Sequence, residues 1–308
     1  MDHNDIKGMI PATILPMDSN YRPNFDAYGD YLEWLIGQNA VAFAINMDTG
    51  EGPQLHAEER QLAARKSVQI ADGRVKVLAG VMGATTDDAV GMAEMYRDEG
   101  VDGLVVFPNA AFRNDPLDPR IPMEYHRAIA EASGLPMVLF QLAPVFGGVL
   151  YSQDTLIKLL ELPQVVGIKE ASFDAQIYAS TVKTVKSVDR PLTILVGNDR
   201  FIFESILLGA EGALLGFGAI GCKIVAQLLT DVAKGDYQKA VETRSKSQGF
   251  MDVIYRDPVL DYRARCKVAL AHVGVIPHAL TFVRPPLLQI EENESAEIKA
   301  ALKQVNML

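Results

Sequence analysis

Short runs of consecutive apolar, often β-branched residues recur along the chain, each followed by a longer stretch with apolar positions at helical spacing. The runs lie at 10–15, 41–46, 75–80, 103–107, 137–141, 165–169, 193–197 and 213–215. The intervening helical stretches lie at 25–38, 57–70, 87–99, 122–132, 152–160, 175–188, 199–208 and 221–232. Strands without polar alternation are buried on both faces, so the pattern predicts a parallel sheet covered by helices. Eight such units suit a closed (β/α)8 TIM barrel, which typically needs about 250 residues; an open doubly wound sheet is the alternative.

After Gly235 the alternation stops, and 237–254, 258–272 and 294–304 read as helices. The expected organisation is therefore a barrel over 1–233 with a C-terminal helical extension over 234–308 packed on it. No low-complexity linker separates the two.

Composition narrows the function classes. With 49% hydrophobic residues the 308-residue chain builds one large core, and its net charge of −10 argues against nucleic acid or an anionic membrane as partner. The longest uncharged stretch, 135–151, contains Pro136, Pro144, Gly147 and Gly148 and reads as a buried strand plus loop, not a membrane span. The polar start of the chain carries no signal-peptide core. Two cysteines, Cys222 and Cys266, make no disulfide framework and are expected to be buried apolar residues in a cytoplasmic protein.

A barrel places its chemistry at the C-terminal ends of the strands. Lys169 ends the sixth run, Val165-Val166-Gly167-Ile168-Lys169. In an apolar mouth its ammonium loses solvation, the pKa falls, and the free amine becomes a nucleophile that forms an iminium with a ketone. The plainer alternative is a lysine that snorkels to solvent. After the second strand comes Asp48-Thr49-Gly50-Glu51-Gly52-Pro53, where Thr49 and the backbone N–H groups around Gly50 suit a carboxylate; the alternative is an ordinary Asx/Gly turn. Near the C-terminus stand Asp257-Pro258 and Arg284-Pro285-Pro286-Leu287.

Together these segments resemble the dihydrodipicolinate synthase/N-acetylneuraminate lyase family of pyruvate-type class I aldolases, in register from Pro11 to Leu287. Gly167-Ile168-Lys169-Glu170 is similar to the family's Schiff-base segment, and Met47-Asp48-Thr49-Gly50-Glu51 to its carboxylate loop. Gly197-Asn198-Asp199 and the Arg-Pro-Pro-Leu tail also match. The resemblance implies a barrel enzyme without cofactor, a homotetramer as is common in the family, and Lys169 as the imine-forming residue. Thr49 and Gly50, with Phe140, Gln141 and Leu215 at the ends of the fifth and eighth strands, would bind a small 2-oxo acid.

The chain departs from the family in its proton-handling parts. Where relatives carry a tyrosine in a Tyr-Asn-x-Pro segment, this chain reads Phe140-Gln141-Leu142-Ala143-Pro144. No arginine follows, only Val145-Phe146-Gly147-Gly148, and no second tyrosine occurs at 108–111. Asp48 replaces the first threonine of the carboxylate loop. Gln141-Leu142-Ala143-Pro144 resembles a segment of the 2-keto-3-deoxy sugar-acid dehydratase branch. Dehydration tolerates loss of the tyrosine better than aldol chemistry does, so dihydrodipicolinate synthesis is disfavoured and a sugar-acid dehydratase or aldolase is expected. A substitute acid–base is then needed. Asp48, with a pKa raised by the substrate carboxylate, is the candidate, or else a simple turn residue. Gln141 would orient a hydroxyl, and Glu170 is expected to be a salt-bridge partner at the rim.

Other signals are weaker. Gly216-Phe217-Gly218-Ala219-Ile220-Gly221 spells a dinucleotide fingerprint but follows the last strand, so it reads as a tight loop. His3, His56, His126, His272 and His278 lack metal-site spacing, with His56 expected to start a helix, and no metal is expected. There is no G-x-S-x-G. Met82, Met92, Met95 and Trp34 read as core packing. A barrel that binds a 2-oxo acid without turnover is the competing reading, motivated by Phe140. An enolising metal-dependent enzyme would need carboxylates at three strand ends, and only scattered acids occur there.

Overall fold

The computed structural model describes residues 1–113 and 117–308. Its eight parallel strands are β1 (Met9–Pro11), β2 (Ala42–Ile45), β3 (Lys76–Val81), β4 (Gly103–Val106), β5 (Met137–Leu142), β6 (Val165–Ala171), β7 (Thr193–Val196) and β8 (Gly212–Leu215). Each pairs with its neighbour in the order β1-β8-β7-β6-β5-β4-β3-β2. A parallel bridge between Ala12 and Ala44 joins β1 to β2 and closes the ring. This is a (β/α)8 barrel.

The helices that alternate with the strands are α1 (Phe25–Gly37), α2 (Ala57–Ala71), α3 (Thr86–Asp98), α4 (Arg120–Ser133), α5 (Gln153–Leu160), α6 (Ala175–Ser187), α7 (Ile202–Leu207) and α8 (Gly218–Ala233). Polar side chains fix several starts: Asn24, Thr85, Ser152 and Asp174 each accept a backbone N–H of the first turn. His56 precedes α2 as expected. Differences from the sequence reading are local. β1 stops at Pro11 because the chain then changes partner: Ala12 donates to Leu215 of β8, and Thr13 to Ala44 of β2. α7 starts later than expected because Asn198 accepts the Phe201 N–H and Asp199 accepts that of Phe217, which keeps this segment out of the helix.

Successive strand residues point to opposite faces, and that alternation divides the core in two. Ala42, Ala44, Leu78, Val105, Val138, Phe140, Leu195 and Leu214 fill the barrel interior. Phe43, Ile45, Val77, Leu104, Leu139, Ile168, Ile194 and Leu215 face the helical ring. Cys222 and Cys266 are both free and buried. Among the described residues, no helix is long and apolar enough to cross a membrane.

The C-terminal helices α9 (Tyr237–Ile254), α10 (Tyr262–His272) and α11 (Glu292–Gln304) pack against α8 and one another. α10 begins at Tyr262, after a short 3-10 turn over Val259–Asp261. It carries charge into the interior: Lys267, fully buried, lies 2.5 Å from the buried Glu51 carboxylate. Glu51 also accepts the Arg284 backbone N–H at 2.7 Å, so the loop after β2 is tied to the chain's C-terminal part.

Candidate active site

Lys169 occupies the fifth position of β6, in register with Phe140 of β5 and Leu195 of β7. That register turns its side chain into the barrel mouth, where it is only 8% exposed. Its Nζ stands 4.1 Å from the centre of the Phe140 ring. Burial is the dominant influence and pulls the amine from its ordinary 10.5 down to about 8, while Asp199 and Asp48 oppose the shift. A significant fraction of neutral amine is therefore present near neutral pH.

Asp199 follows β7 and is 7% exposed. Its Oδ1 accepts the Phe217 N–H at 2.8 Å. Burial raises this carboxyl to about 6, against the opposing pull of the Phe217 N–H and Lys169. Thr49 is buried on the 3-10 turn Asp48–Gly50, its Oγ1 3.1 Å from the Tyr262 hydroxyl. Asp48, at the pocket edge, lies 3.6 Å from the Arg263 guanidinium, whose Nε also donates to the Asp48 carbonyl at 2.6 Å.

Lys169, Asp48, Thr49 and Phe140 thus line one cavity of about 150 Å³, together with Asp199, Gly216, Tyr255, Tyr262 and Arg263. Phe107, edge-on to Phe140 at 5.0 Å, and Phe146 with Phe173 make much of the remaining wall apolar. Gly216 belongs to the glycine-rich loop after β8. A Cβ on it would fall 2.3 Å from the Tyr255 hydroxyl, so glycine is what admits that ring.

Three expected binding residues are placed differently. Gln141 points away from the cavity, toward the helices. Its amide donates to Glu170 at 3.1 Å and to Thr181 at 3.0 Å, and its oxygen accepts the Tyr151 N–H. One step along β5 from an inward Phe140 must face outward. Leu215 is likewise on the helix side, and Leu214 is the inward residue. Gly50 spends its N–H on the Met47 carbonyl at 3.1 Å and packs against Thr13 O, so that N–H is not available to a substrate carboxylate. Glu170 is not a rim salt-bridge partner; it is fully buried, and burial raises its pKa. Met82, Met92 and Met95 are half-buried and line an outer cleft between α2 and α3, with Met92 and Met95 packed against the core as expected.

The sequence reading did not assign a site role to Tyr255, Tyr262 or Arg263. They come from the end of α9 and the start of α10, outside the strand–helix repeat that directs attention to strand ends. Asp199 follows a strand, and in the sequence it stands out only as part of the Gly197-Asn198-Asp199 segment.

Comparison with known proteins agrees with this architecture. The model of the dihydrodipicolinate synthetase family matches residues 5–305. A 4-hydroxy-tetrahydrodipicolinate synthase of Neisseria meningitidis serogroup B is 27% identical over 300 residues, covering 97% of this chain and 98% of that protein. The enzyme of the same name from Gluconacetobacter diazotrophicus is 24% identical over 308 residues, covering all of both. Among solved structures, dihydrodipicolinate synthase from Thermotoga maritima superposes with a TM-score of 0.87 at 21% identity, over 98% of this chain and 99% of that one. A prophage protein of the dihydrodipicolinic acid synthase family from E. coli K12, in complex with pyruvate, gives 0.88 at 24% identity, with 98% and 99% covered.

Proposed function

The chain belongs to the dihydrodipicolinate synthetase family, a family of class I Schiff-base lyases, and from that premise we propose that it is a dehydratase of 2-keto-3-deoxy sugar acids with Lys169 as the imine-forming amine. The observation that carries the reading is the buried, pKa-lowered Lys169 in a cavity with the Thr49 loop. The neutral amine attacks C2 of the 2-oxo acid, and the resulting iminium acidifies the C3 hydrogens. A base takes a C3 proton to leave the enamine, the C4 hydroxyl departs as water on receiving a proton, and hydrolysis of the imine frees the dehydrated product and Lys169. Arg263 and Thr49 are the polar groups near the loop that suit an acidic substrate, and Phe107, Phe140 and Phe146 give the cavity an apolar wall that desolvates the amine.

Phe140 weighs against dihydrodipicolinate synthesis, because the family's tyrosine stands at this position in enzymes that make that product. The apolar Val145-Phe146 loop adds to this, having no arginine for a second substrate's carboxylate. Following the family, we propose a cytoplasmic homotetramer.

A screen of 2-keto-3-deoxy pentonates and hexonates read by mass spectrometry tests the reading. Loss of one water from the substrate supports dehydration. Release of pyruvate would assign aldol cleavage instead. Borohydride reduction in the presence of substrate should fix a stable adduct on the peptide containing Lys169. Absence of any adduct with pyruvate and with every sugar acid of the panel overturns the proposal.

A further inference from the structure

The site as built lacks the tyrosine that β5 supplies in relatives, yet a tyrosine from outside the strands lines the same cavity. Tyr255, at the end of α9, is 8% exposed and lines the cavity that holds Lys169. Its hydroxyl is buried, and the group beside it is the Asp199 carboxyl. A hydroxyl both donates and accepts, so one held against a carboxyl can relay a proton between that carboxyl and a ligand in the cavity. The neighbours are arranged for it: Gly216 leaves the hydroxyl the room a side chain would take, and Tyr262 stacks on the ring at 5.0 Å and 17°. The Asp199 carboxyl adjoins the hydroxyl and sits in the field of Lys169.

We propose that Tyr255, backed by Asp199, is the proton donor of the imine-forming step and replaces in function the hydroxyl that Phe140 lacks. The inference rests on the reading of Lys169 as the nucleophile. After attack, the carbinolamine carries a hydroxyl on C2. As the C2–O bond breaks, the Tyr255 hydroxyl gives its proton to that oxygen, and the Asp199 carboxylic acid passes its own proton to the phenolic oxygen. The nitrogen lone pair closes the C=N bond, water leaves, and the iminium forms beside an Asp199 carboxylate. Charge and protons balance with no other reactant. Burial raises the Tyr255 hydroxyl well above its ordinary range, so it stays protonated and relays a proton without resting as a phenolate. The same burial keeps part of the Asp199 population protonated, with the group raised to about 6.

The test is Tyr255→Phe, followed by the rate and final yield of borohydride-trapped adduct with pyruvate and by turnover of the best sugar acid. The expected result is imine formation and turnover slowed by roughly a hundred-fold or more, the range of a lost general acid, with the final adduct yield intact. Restoring a hydroxyl on β5 by Phe140→Tyr in the Tyr255→Phe background should recover at least part of that rate, which a merely structural role for Tyr255 does not predict. Because the variant keeps the ring and its stacking on Tyr262 and loses one hydroxyl, its melting temperature should stay close to that of the parent. Rates within about three-fold of the parent overturn the proposal. So does a loss of rate that comes with a lowered melting temperature and no rescue. Absence of any adduct in the parent protein overturns the Lys169 reading itself, and is told apart by appearing before any substitution is made.

Discussion

The Lys169 amine stands 4.1 Å from the centre of the Phe140 ring, its register partner on β5. The ring both desolvates the amine and offers its negative face to the ammonium form, so its two effects on the pKa oppose each other. Burial is the larger of the influences on this amine, whose pKa falls to about 8. Phe140→Leu keeps the site apolar and removes the cation–π contact, worth about 0.5–2 kcal/mol. The ammonium loses stabilisation, so the pKa should fall further, and the upper of the two apparent limits of the kcat/KM profile, the one near 8 that this amine sets, should move to lower pH by several tenths of a unit or more. A profile measured on both proteins with the same substrate checks it; no shift, or a shift upward, means the ring does not act on the amine in this way.

Lys169→Ala should abolish borohydride trapping and cut turnover by roughly a thousand-fold or more, the scale of a lost covalent nucleophile. A binding-only barrel predicts no turnover in either protein. Turnover that survives the substitution would show that the iminium is not on the pathway.

The proton-relay reading makes a particular demand on pH. Catalysis needs a neutral Lys169 and a protonated Asp199, yet their values of about 8 and about 6 favour the ion pair. The two-unit gap leaves the proton-swapped form at roughly one part in a hundred between those values. Below pH 6 the amine is held protonated, and above pH 8 the carboxyl has lost its proton. The expected kcat/KM profile is therefore a bell with apparent limits near 6 and 8 that belong to the pair. Asp199→Asn should remove the descending limb, because no carboxyl remains to lose its proton, and should lower the plateau. A descending limb that persists unchanged in this variant assigns it to another group.

Much of the architecture can be read from the chain because strands buried on both faces are continuously apolar and the helices between them are amphipathic. The position of Lys169 follows from the same pattern. The facing of individual residues is less legible at strand ends, where one position decides between cavity and helix: Phe140 and Leu214 point in, Gln141 and Leu215 point out. Tyr255, Tyr262 and Arg263 were beyond reach because they enter the site from helices outside the repeat. Tertiary ties such as the one between Glu51 and Lys267 bring their part of the chain against the loop after β2.

That tie is itself testable. Glu51 and Lys267 are fully buried at 2.5 Å, with the remaining bonds of the pair made to the Phe282 carbonyl and the Arg284 N–H. Removing one partner leaves a buried charge uncompensated, at a cost of about 3–5 kcal/mol. Lys267→Met should therefore lower the melting temperature by several degrees and weaken substrate binding through the displaced Thr49 loop. The double variant Lys267→Met with Glu51→Gln should regain part of the loss, since no net charge is then stranded. Equal melting temperatures for the parent and Lys267→Met count against this role.

His126 on α4 sets an acid limit on the fold. The ring is fully buried, and its Nδ1 lies 2.7 Å from the Pro122 carbonyl, an arrangement in which Nδ1 carries the proton and donates. Nε2 has no partner among the described residues, and the ring packs among those of Phe112, Tyr125 and Tyr151. Protonating Nε2 would bury a charge and a second N–H without an acceptor, and burial lowers the pKa from its ordinary 6.5 to about 4. Between these values the unfolded chain binds the proton and the folded one does not, so stability is full above pH 6.5 and is lost as pH falls toward 4. The loss is about 2 kcal/mol at pH 5 and about 3 kcal/mol at the acid end of the window. For a chain of this size 2 kcal/mol corresponds to a melting shift of about 3 °C. His126→Gln does not titrate and can still donate to the Pro122 carbonyl. Whatever its stability at neutral pH, its melting temperature should fall less between pH 7 and pH 5 than the parent's, by about that amount. Asp199, whose raised pKa favours the folded state at acid pH, acts equally in both proteins and cancels in the difference. Parallel melting curves across this range would show that another group sets the acid limit.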